Sequence, residues 1–283
     1  IDNFRYDQWR SISSPLHNYY DIESEDFYCS ILPTATQYAR NALFAGLMPL
    51  AIDKLMPDRW LNDNEEGGKN KYEEEFLMRQ LQSSGKRWRT TFDKLMRPEA
   101  GRRLIDNIRH VYDADFSVIV YNFLDILSHA RTETEIIREL TEDEAAFRSL
   151  TRSWFEHSDL YTILQMLAQR GHTVIITSDH GTIRVDNPIK IIGDRETSPN
   201  LRYKTGRNLN YNPREVFEIT RPEEAQLPQS NLTSTYVFAT GHDFFSYPNN
   251  ANKYIRYYKS TFQHGGISME EMMVPFIVLR PKG

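Results

Sequence analysis

Apolar and β-branched residues fall in short runs along this chain, separated by glycine, proline and charged positions, with no single long stripe. The clearest run is Thr173-Val-Ile-Ile-Thr-Ser-Asp-His-Gly181, which follows the helix-stopping Gly171 and passes directly into Asp179-His180. A short apolar run bounded by turn residues predicts a buried central strand that ends at a sheet's carboxyl edge. Phe116-Ser-Val-Ile-Val-Tyr-Asn-Phe-Leu124 predicts a second core strand, ending at Asp125. Phe27-Tyr-Cys-Ser-Ile-Leu32, closed by Pro33, and Val274-Pro-Phe-Ile-Val-Leu279 predict two more. Shorter strands are expected over Thr182 to Ile192, Val216 to Ile219 and Tyr236 to Thr240, with polar loops at Asn62 to Lys71 and Thr197 to Pro213.

Between these runs the apolar spacing changes to the helical period. Tyr38 to Gly46 reads as a short helix, Glu73 to Gln82 as a charged amphipathic one whose Glu run is a solvated face, and Lys86 to His110 as one or two helices. Glu142 to Arg170 carries Phe147, Leu150, Trp154, Leu160, Ile163, Leu164 and Leu167 at helical spacing, and Met269 to Met273 a last short turn. Strands alternating with helices imply an α/β fold with right-handed crossovers.

Composition narrows the picture. A chain of 283 residues, 40% of them hydrophobic, buries a sizeable core as one large α/β domain or as a core plus a cap. The net charge of -5 offers no general attraction to nucleic acid or anionic lipid, so a phosphate-bearing substrate must be held locally. Cys29 is the only cysteine, which excludes an internal disulfide framework. Neither a signal peptide nor a bilayer-length apolar run is present, so no membrane insertion and a reducing, cytoplasmic setting are expected. Ile1-Asp2-Asn3-Phe4-Arg5 reads as the last step of a strand and its loop, which leads us to expect further chain upstream.

The candidate chemistry collects at strand ends. Asp179 and His180 are an adjacent carboxylate and imidazole, one hard and one borderline ligand for a divalent cation; a turn Asp beside a surface His is the plain alternative. Asp125 and His129 stand four apart and share a face if a helical turn begins there. His264 precedes Gly265-Gly266 and is free to turn inward. Thr36 opens a predicted helix, either as an N-cap or as a nucleophile beside anion-binding N–H groups. Arg202, Lys204 and Arg207, interleaved with Tyr203 and Tyr211, read either as a substrate loop or as solvated charge, and His242 as a further candidate substrate contact. Asp2, Asp125 and Asp179 brought to one sheet edge would repel one another unless cations were present. Two divalent ions about 4 Å apart would satisfy them and suit in-line phosphoryl transfer.

The order of these motifs resembles the alkaline phosphatase superfamily, in its nucleotide pyrophosphatase/phosphodiesterase branch. The resemblance rests on Asp-x-Phe-Arg at Asp2, Pro-Thr-x-Thr ending at Thr36, Asp-x-x-x-His at Asp125, Asp-His-Gly at Asp179 and His-Gly-Gly at His264. Within the superfamily, Thr-Ala-Thr-Gln-Tyr-Ala-Arg-Asn-Ala-Leu and Tyr-Asn-Phe-Leu-Asp-Ile-Leu-Ser-His are similar to the PglZ domain, and in particular to that of response regulators of type IX secretion in Bacteroidetes. The resemblance implies a three-layer sandwich with a mostly parallel central sheet and helical insertions, roughly residues 48–112 forming a cap-like insertion, and a receiver domain and helical linker upstream. It implies two divalent ions, zinc above others: one on Asp125, His129 and His264, the second on Asp2, Asp179, His180 and the Thr36 oxygen. Thr36 would then attack phosphorus.

Two departures bear on substrate. Asn3 stands where relatives commonly have Gly, and Gln37-Tyr38 where the extracellular phosphodiesterases have Phe-Pro. The leading expectation is a zinc-dependent phosphodiesterase acting on nucleotides or short oligonucleotides, cyclic ones included, as the output domain of a response regulator. Secretion-machinery or regulatory proteins are its expected partners, with oligomerisation through the upstream domain. The competing expectations are a phosphomonoesterase and a signalling module with structural zinc. Cys29-Ser-Ile-Leu-Pro33 does not fit the Cys-x-Pro-x-Arg pattern of the formylglycine sulfatases.

Overall fold

The structure is a computed structural model describing residues 1–62, 65, 68–127, 139, 141, 143–193, 197–229, 231, 233–248 and 251–283. Its strands are, in chain order, β1 Tyr20–Cys29, β2 Thr90–Leu95, β3 Phe116–Tyr121, β4 Val174–Thr177, β5 Ile183–Val185, β6 Asn187–Lys190, β7 Tyr203–Gly206, β8 Phe217–Ile219, β9 Thr235–Phe238, β10 Asp243–Ser246, β11 Thr261–Gln263 and β12 Met273–Pro281. The chain divides into two compact units, the first made of residues 1–29, 81–181 and 273–283, the second of 30–80 and 182–272.

In unit 1, β2 and β3 pair in parallel, Thr90 opposite Phe116 and Leu95 opposite Tyr121. β12 lies between β1 and β4 and runs antiparallel to both, so β1 and β4 share a direction. The Ile1 nitrogen donates to the Thr177 carbonyl at 2.8 Å and the Asp2 N–H to the Tyr121 carbonyl at 2.9 Å. Residues 1 and 2 thus lie between the carboxyl ends of β3 and β4, which reach the same edge. Among the described strands of this unit, β2 and β3 run parallel to each other, and β12 runs against β1 and β4.

The helix Asp159–Gln169 packs against Pro98–Asp106 over a core of Leu95, Leu104, Ile108, Val111, Ile163 and Leu167. Each such side chain contributes roughly 1.5–3 kcal/mol on burial. Gly101 permits the approach, since a Cβ there would stand 2.5 Å from an Asp159 carboxylate oxygen. The periodicity over residues 142–170 resolves into two helices, Glu144–Glu156 and Asp159–Gln169, because Ser158, buried and in extended conformation, accepts the Tyr161 N–H at 3.2 Å as an N-cap.

Unit 2 holds the antiparallel sheet β7-β9-β8, the antiparallel pair β5-β11 and the parallel pair β6-β10. Ile189, Ile191, Val237, Ala239 and Phe245 form one of its cores. The helix Thr36–Ala45 starts and stops as expected: Gly46 takes φ 61° and its N–H closes on the Ala42 carbonyl at 2.9 Å.

Several expectations change. β1 begins at Tyr20 and ends at Cys29, not at Leu32, because pairing with β12 sets its span and, as an edge strand, it tolerates Asp21, Glu23, Glu25 and Asp26. The basic stretch read as helical from Lys86 contains β2, held by its parallel partner. Of residues 48–112, those to Gln80 fall in unit 2 and those from Leu81 in unit 1. The loop expected over Thr197 to Pro213 contains β7. Glu73 is not on a solvated face: it is fully buried and paired with Arg40 Nε at 2.6 Å, while Glu74 and Glu75 are exposed. Among the described residues no helix is long and apolar enough to cross a membrane.

Candidate functional site

Unit 1 assembles an acidic group at the carboxyl end of β4. The strand delivers Ser178, Asp179 and His180 in succession, and Ser178 locks the turn by accepting the Phe4 N–H at 3.0 Å and donating to the His180 carbonyl at 2.8 Å. Asp179 Oδ1 accepts the His180 N–H at 3.1 Å and the Asn3 N–H at 3.4 Å, which draws the opening loop onto the strand end. Asn3 sits at φ 60°. Asparagine is one of the few side chains that tolerates this left-handed region, so the departure from glycine leaves the turn intact.

Asp2, Asp179 and His180 each offer a ligand atom within 4.8 Å of the others, and all three are buried. His180 Nε2 stands 3.9 Å from Asp2 Oδ1 and 3.7 Å from Asp179 Oδ2, while its Nδ1 faces the Gly181 carbonyl at 3.1 Å. With the proton on Nδ1 and bound to that carbonyl, Nε2 turns a lone pair toward the carboxylates, the orientation a metal-binding imidazole needs. Two carboxylate charges about 5 Å apart repel by roughly 3 kcal/mol at an effective dielectric near 20. Two oxygens and one imidazole nitrogen in that space fit a divalent cation, which removes the repulsion.

The Tyr28 hydroxyl donates to the Ser178 carbonyl beneath this group. Burial first, and then the Asp179 charge, push it up to about 12 against the opposing effect of a hydrogen bond with Thr177, so the wall of the site stays neutral. Asp125 follows β3 in the helical stretch 123–127 and is half-buried. Among the described residues it is not part of the Asp2, Asp179 and His180 group. His129 lies outside the described residues.

Unit 2 anchors the His264 loop on Thr34, which precedes Thr36 by two residues. His264 Nδ1 lies 3.2 Å from the Thr34 carbonyl, the Gly265 N–H donates to Thr34 Oγ1 at 3.0 Å, and that hydroxyl donates to the Gly266 carbonyl at 2.8 Å. Two residues on, Thr36 is the first helical residue; Ala35, in extended conformation, occupies the cap position. The N-cap reading of Thr36 therefore does not hold, and its hydroxyl stands at a helix N-terminus where backbone N–H groups favour an anion.

The far side of the His264 loop is held by a buried ion pair. Glu271 accepts the Gly266 N–H at 2.9 Å, the Ser268 hydroxyl at 2.7 Å and Arg202 Nη2 at 2.6 Å, and both charged side chains are fully buried. Arg202 Nη1 also donates to the Asp243 carbonyl. Gly266 is needed for this approach, because a Cβ there would meet the Ala239 carbonyl at 2.5 Å and Arg202 Cζ at 2.9 Å. Gly265, at φ 119°, takes a conformation closed to other residues.

Arg202 is thus a structural cation, not a loop residue presented to substrate. Lys204 is likewise buried in β7, its Nζ donating to the Ser198 carbonyl at 2.9 Å and lying 4.7 Å from the centre of the Tyr247 ring. Neither side chain is the solvent-exposed loop charge that the sequence suggested: Arg202, just before β7, and Lys204, within it, are both buried and bonded inside unit 2. Arg207 and His242 are exposed, and His242 Nδ1 lies 2.8 Å from the Arg184 carbonyl. Thr34 and Glu271 were missed by sequence reasoning. Thr34 was within the Pro-Thr-x-Thr motif and could have been found; Glu271, in an exposed-looking Met-Glu-Glu-Met run, could not.

The family profile described as the BREX system PglZ alkaline phosphatase-like domain matches residues 1–279. No curated protein matches the chain. Two crystal structures of phosphonoacetate hydrolase from Sinorhizobium meliloti 1021 are similar in fold, one in complex with phosphonoformate (TM-score 0.59) and one with phosphonoacetate (TM-score 0.60). Each is 13% identical, with 98% of this chain and 87% of that chain covered. At that identity the likeness speaks for the fold alone, and the fold is the alkaline phosphatase-like α/β architecture that the motif order implied.

Proposed function

We propose, from the premise that this chain belongs to the family of BREX-system PglZ alkaline phosphatase-like domains, that it is a metal-dependent phosphodiesterase with Thr36 as nucleophile. The observation that carries the reading is the buried group of Asp2, Asp179 and His180, whose donor set suits a divalent cation and whose like charges demand one. In the proposed assignment these residues and the Thr36 oxygen would hold one ion, and Asp125, His129 and His264 a second. Zinc is favoured over magnesium because three imidazoles suit a borderline-soft ion. When bound, the ions supply Lewis acidity that acidifies a neighbouring hydroxyl and neutralises charge on phosphoryl oxygens.

The chain's own groups have distinct tasks in this scheme. Thr36 Oγ1 forms the new bond to phosphorus as the bond to the leaving alkoxide breaks, and the proton that the Thr36 hydroxyl gives up ends on that leaving oxygen; water then cleaves the threonine phosphoester, returning a proton to Thr36 and releasing the phosphomonoester. The first N–H groups of the helix Thr36–Ala45 hold the phosphoryl oxygens. Thr34, two residues before Thr36, holds the His264 loop through its hydroxyl and carbonyl. Nucleotides or short oligonucleotides are the proposed substrates. On the sequence resemblance alone, the proposed setting is the cytoplasmic output domain of a response regulator in type IX secretion.

The test sets the zinc-loaded chain and Thr36→Ala against bis(p-nitrophenyl) phosphate, a phosphomonoester, phosphonoacetate and short oligonucleotides. We expect diester turnover at least about 10³-fold faster in the unsubstituted chain, with unchanged circular dichroism. Diester turnover retained in Thr36→Ala sinks the nucleophile assignment. Preference for the monoester or the phosphonate changes the substrate class. Bound zinc without hydrolysis of any member of the panel makes the chain an interaction module.

A further inference from the structure

The helix Ala251–Tyr258 stands apart from the rest of this acidic chain. From Phe244 to Met269 the sequence has no Asp or Glu, yet it carries Lys253, Arg256 and Lys259 together with Tyr247, Tyr254, Tyr257 and Tyr258. Ile255 and Tyr258 anchor the helix on Ile183, Val185 and Phe244 of unit 2. The rest of the helix is exposed at Lys253, Tyr254, Arg256 and Tyr257, and Lys259 is exposed just beyond the helix end. Among the described residues no ion pair engages these three cations.

The tyrosines are arranged as a platform. Tyr254 and Tyr258 have ring planes 7° apart with centroids at 6.3 Å, and Tyr257 stands edge-on to Tyr258 at 4.9 Å. Tyr254 remains 50% exposed and Tyr257 42%, so both rings keep faces open to a planar partner. Rings of this kind among unengaged cations suit a partner that combines regular negative charge with flat π-faces. An acidic peptide supplies the charge without the regular flat faces, and membrane-surface helices bury a face of Trp, Phe or Leu, none of which stands among these exposed residues.

We infer that this helix is a docking surface for single-stranded nucleic acid, leading toward His264. β11 follows the helix and ends at Gln263, so Lys259, Ser260 and the three strand residues, at most about 18 Å of chain, separate the helix end from His264. An oligonucleotide stacked on Tyr254 and Tyr257, its phosphates on Lys253, Arg256 and Lys259, would extend a few nucleotides from the scissile bond. The inference rests on the phosphodiesterase reading for its substrate class and adds a binding surface separate from the reacting groups.

The experiment measures fluorescence anisotropy of a labelled oligothymidylate of about 16 nucleotides with the full chain, under chelator to prevent turnover, across a salt series. Replacing Lys253, Arg256 and Lys259 together by Ala should weaken binding at least about 10-fold and shallow the salt slope by about 2, near 0.7 for each phosphate no longer neutralised. Tyr254→Ala with Tyr257→Ala should weaken binding about 10-fold at unchanged slope, and the double Phe variant should restore it. Turnover of bis(p-nitrophenyl) phosphate should stay within about twofold in all of them. Binding equal to that of the unsubstituted chain in the Lys/Arg variant, or anionic phosphatidylserine vesicles that compete as well as the oligonucleotide, overturns the inference. Weakened oligonucleotide binding in these variants, in a chain that hydrolyses no small diester, would keep the surface and sink the reaction.

Discussion

In unit 1, the acidic group is built by neighbours: Ser178, Asp179 and His180 are consecutive, and Asn3 and Phe4 reach them through single backbone N–H bonds. In unit 2, His264 owes its place to partners distant in the chain, with Thr34 on one side and the Arg202–Glu271 pair on the other. The first arrangement gathers like charges and costs stability until a cation arrives. The second pairs unlike charges, fully buried, and collapses if one is removed. One region should therefore fail in metal binding before folding, and the other in folding before metal binding.

Asp179→Asn tests this contrast with the largest expected effect. Activity should fall at least about 10³-fold and zinc content should drop by elemental analysis. Because the amide keeps an acceptor for the His180 and Asn3 N–H groups while relieving repulsion, the metal-free variant should melt no lower than the metal-free parent. A metal-free melting point well below the parent's would erase the distinction. Arg202→Met should do the reverse, destabilising the chain by about 3–5 kcal/mol in denaturant titration by leaving Glu271 buried without its counter-charge.

Thr34→Val sharpens the contrast within unit 2. It removes the hydroxyl that bonds Gly265 and Gly266 at little change in volume, so it should cost about 1–3 kcal/mol and weaken zinc binding about 10- to 100-fold by calorimetry. Unaltered zinc affinity would mean that His264 needs no such support. The smallest effect belongs to the surface of unit 1, where the hydrogen bond with Asp93 at 2.9 Å raises the half-exposed His110 above its ordinary value. The raised group adds stability that is complete below its unfolded value near 6.5 and is lost as pH rises through the folded value. Melting points from pH 6 to 8 should show a slight decline that His110→Ala abolishes.

Much of the strand framework was legible because the runs that open at Phe116 and Thr173, like the stops at Gly46 and Gly171, are written in local patterns of two to ten residues, although β3 ends at Tyr121 and residues 123–127 are helical where strand was expected to Leu124. β2 was not legible: Thr90–Leu95 mixes Asp93 and Lys94 into a basic stretch, and its strand form comes from hydrogen bonds to β3. β7 was hidden for the same reason, since Lys204 looked like solvated charge until β9 paired its strand and turned it inward.

By itself, the sequence determined which side chains fall near strand ends, because period and punctuation act over a few residues, and the resemblance it carries implied one ligand set of Asp2, Asp179, His180 and the Thr36 oxygen, of which the first three lie together. Tertiary structure alone decided that Arg202 is a buried counter-ion for Glu271, 69 residues away, and that Glu73 is a buried partner of Arg40. A charge exposed to water and a charge buried against its opposite have the same local spelling; only the chain's long-range closure chooses between them, since desolvation is tolerated where the partner is waiting and nowhere else.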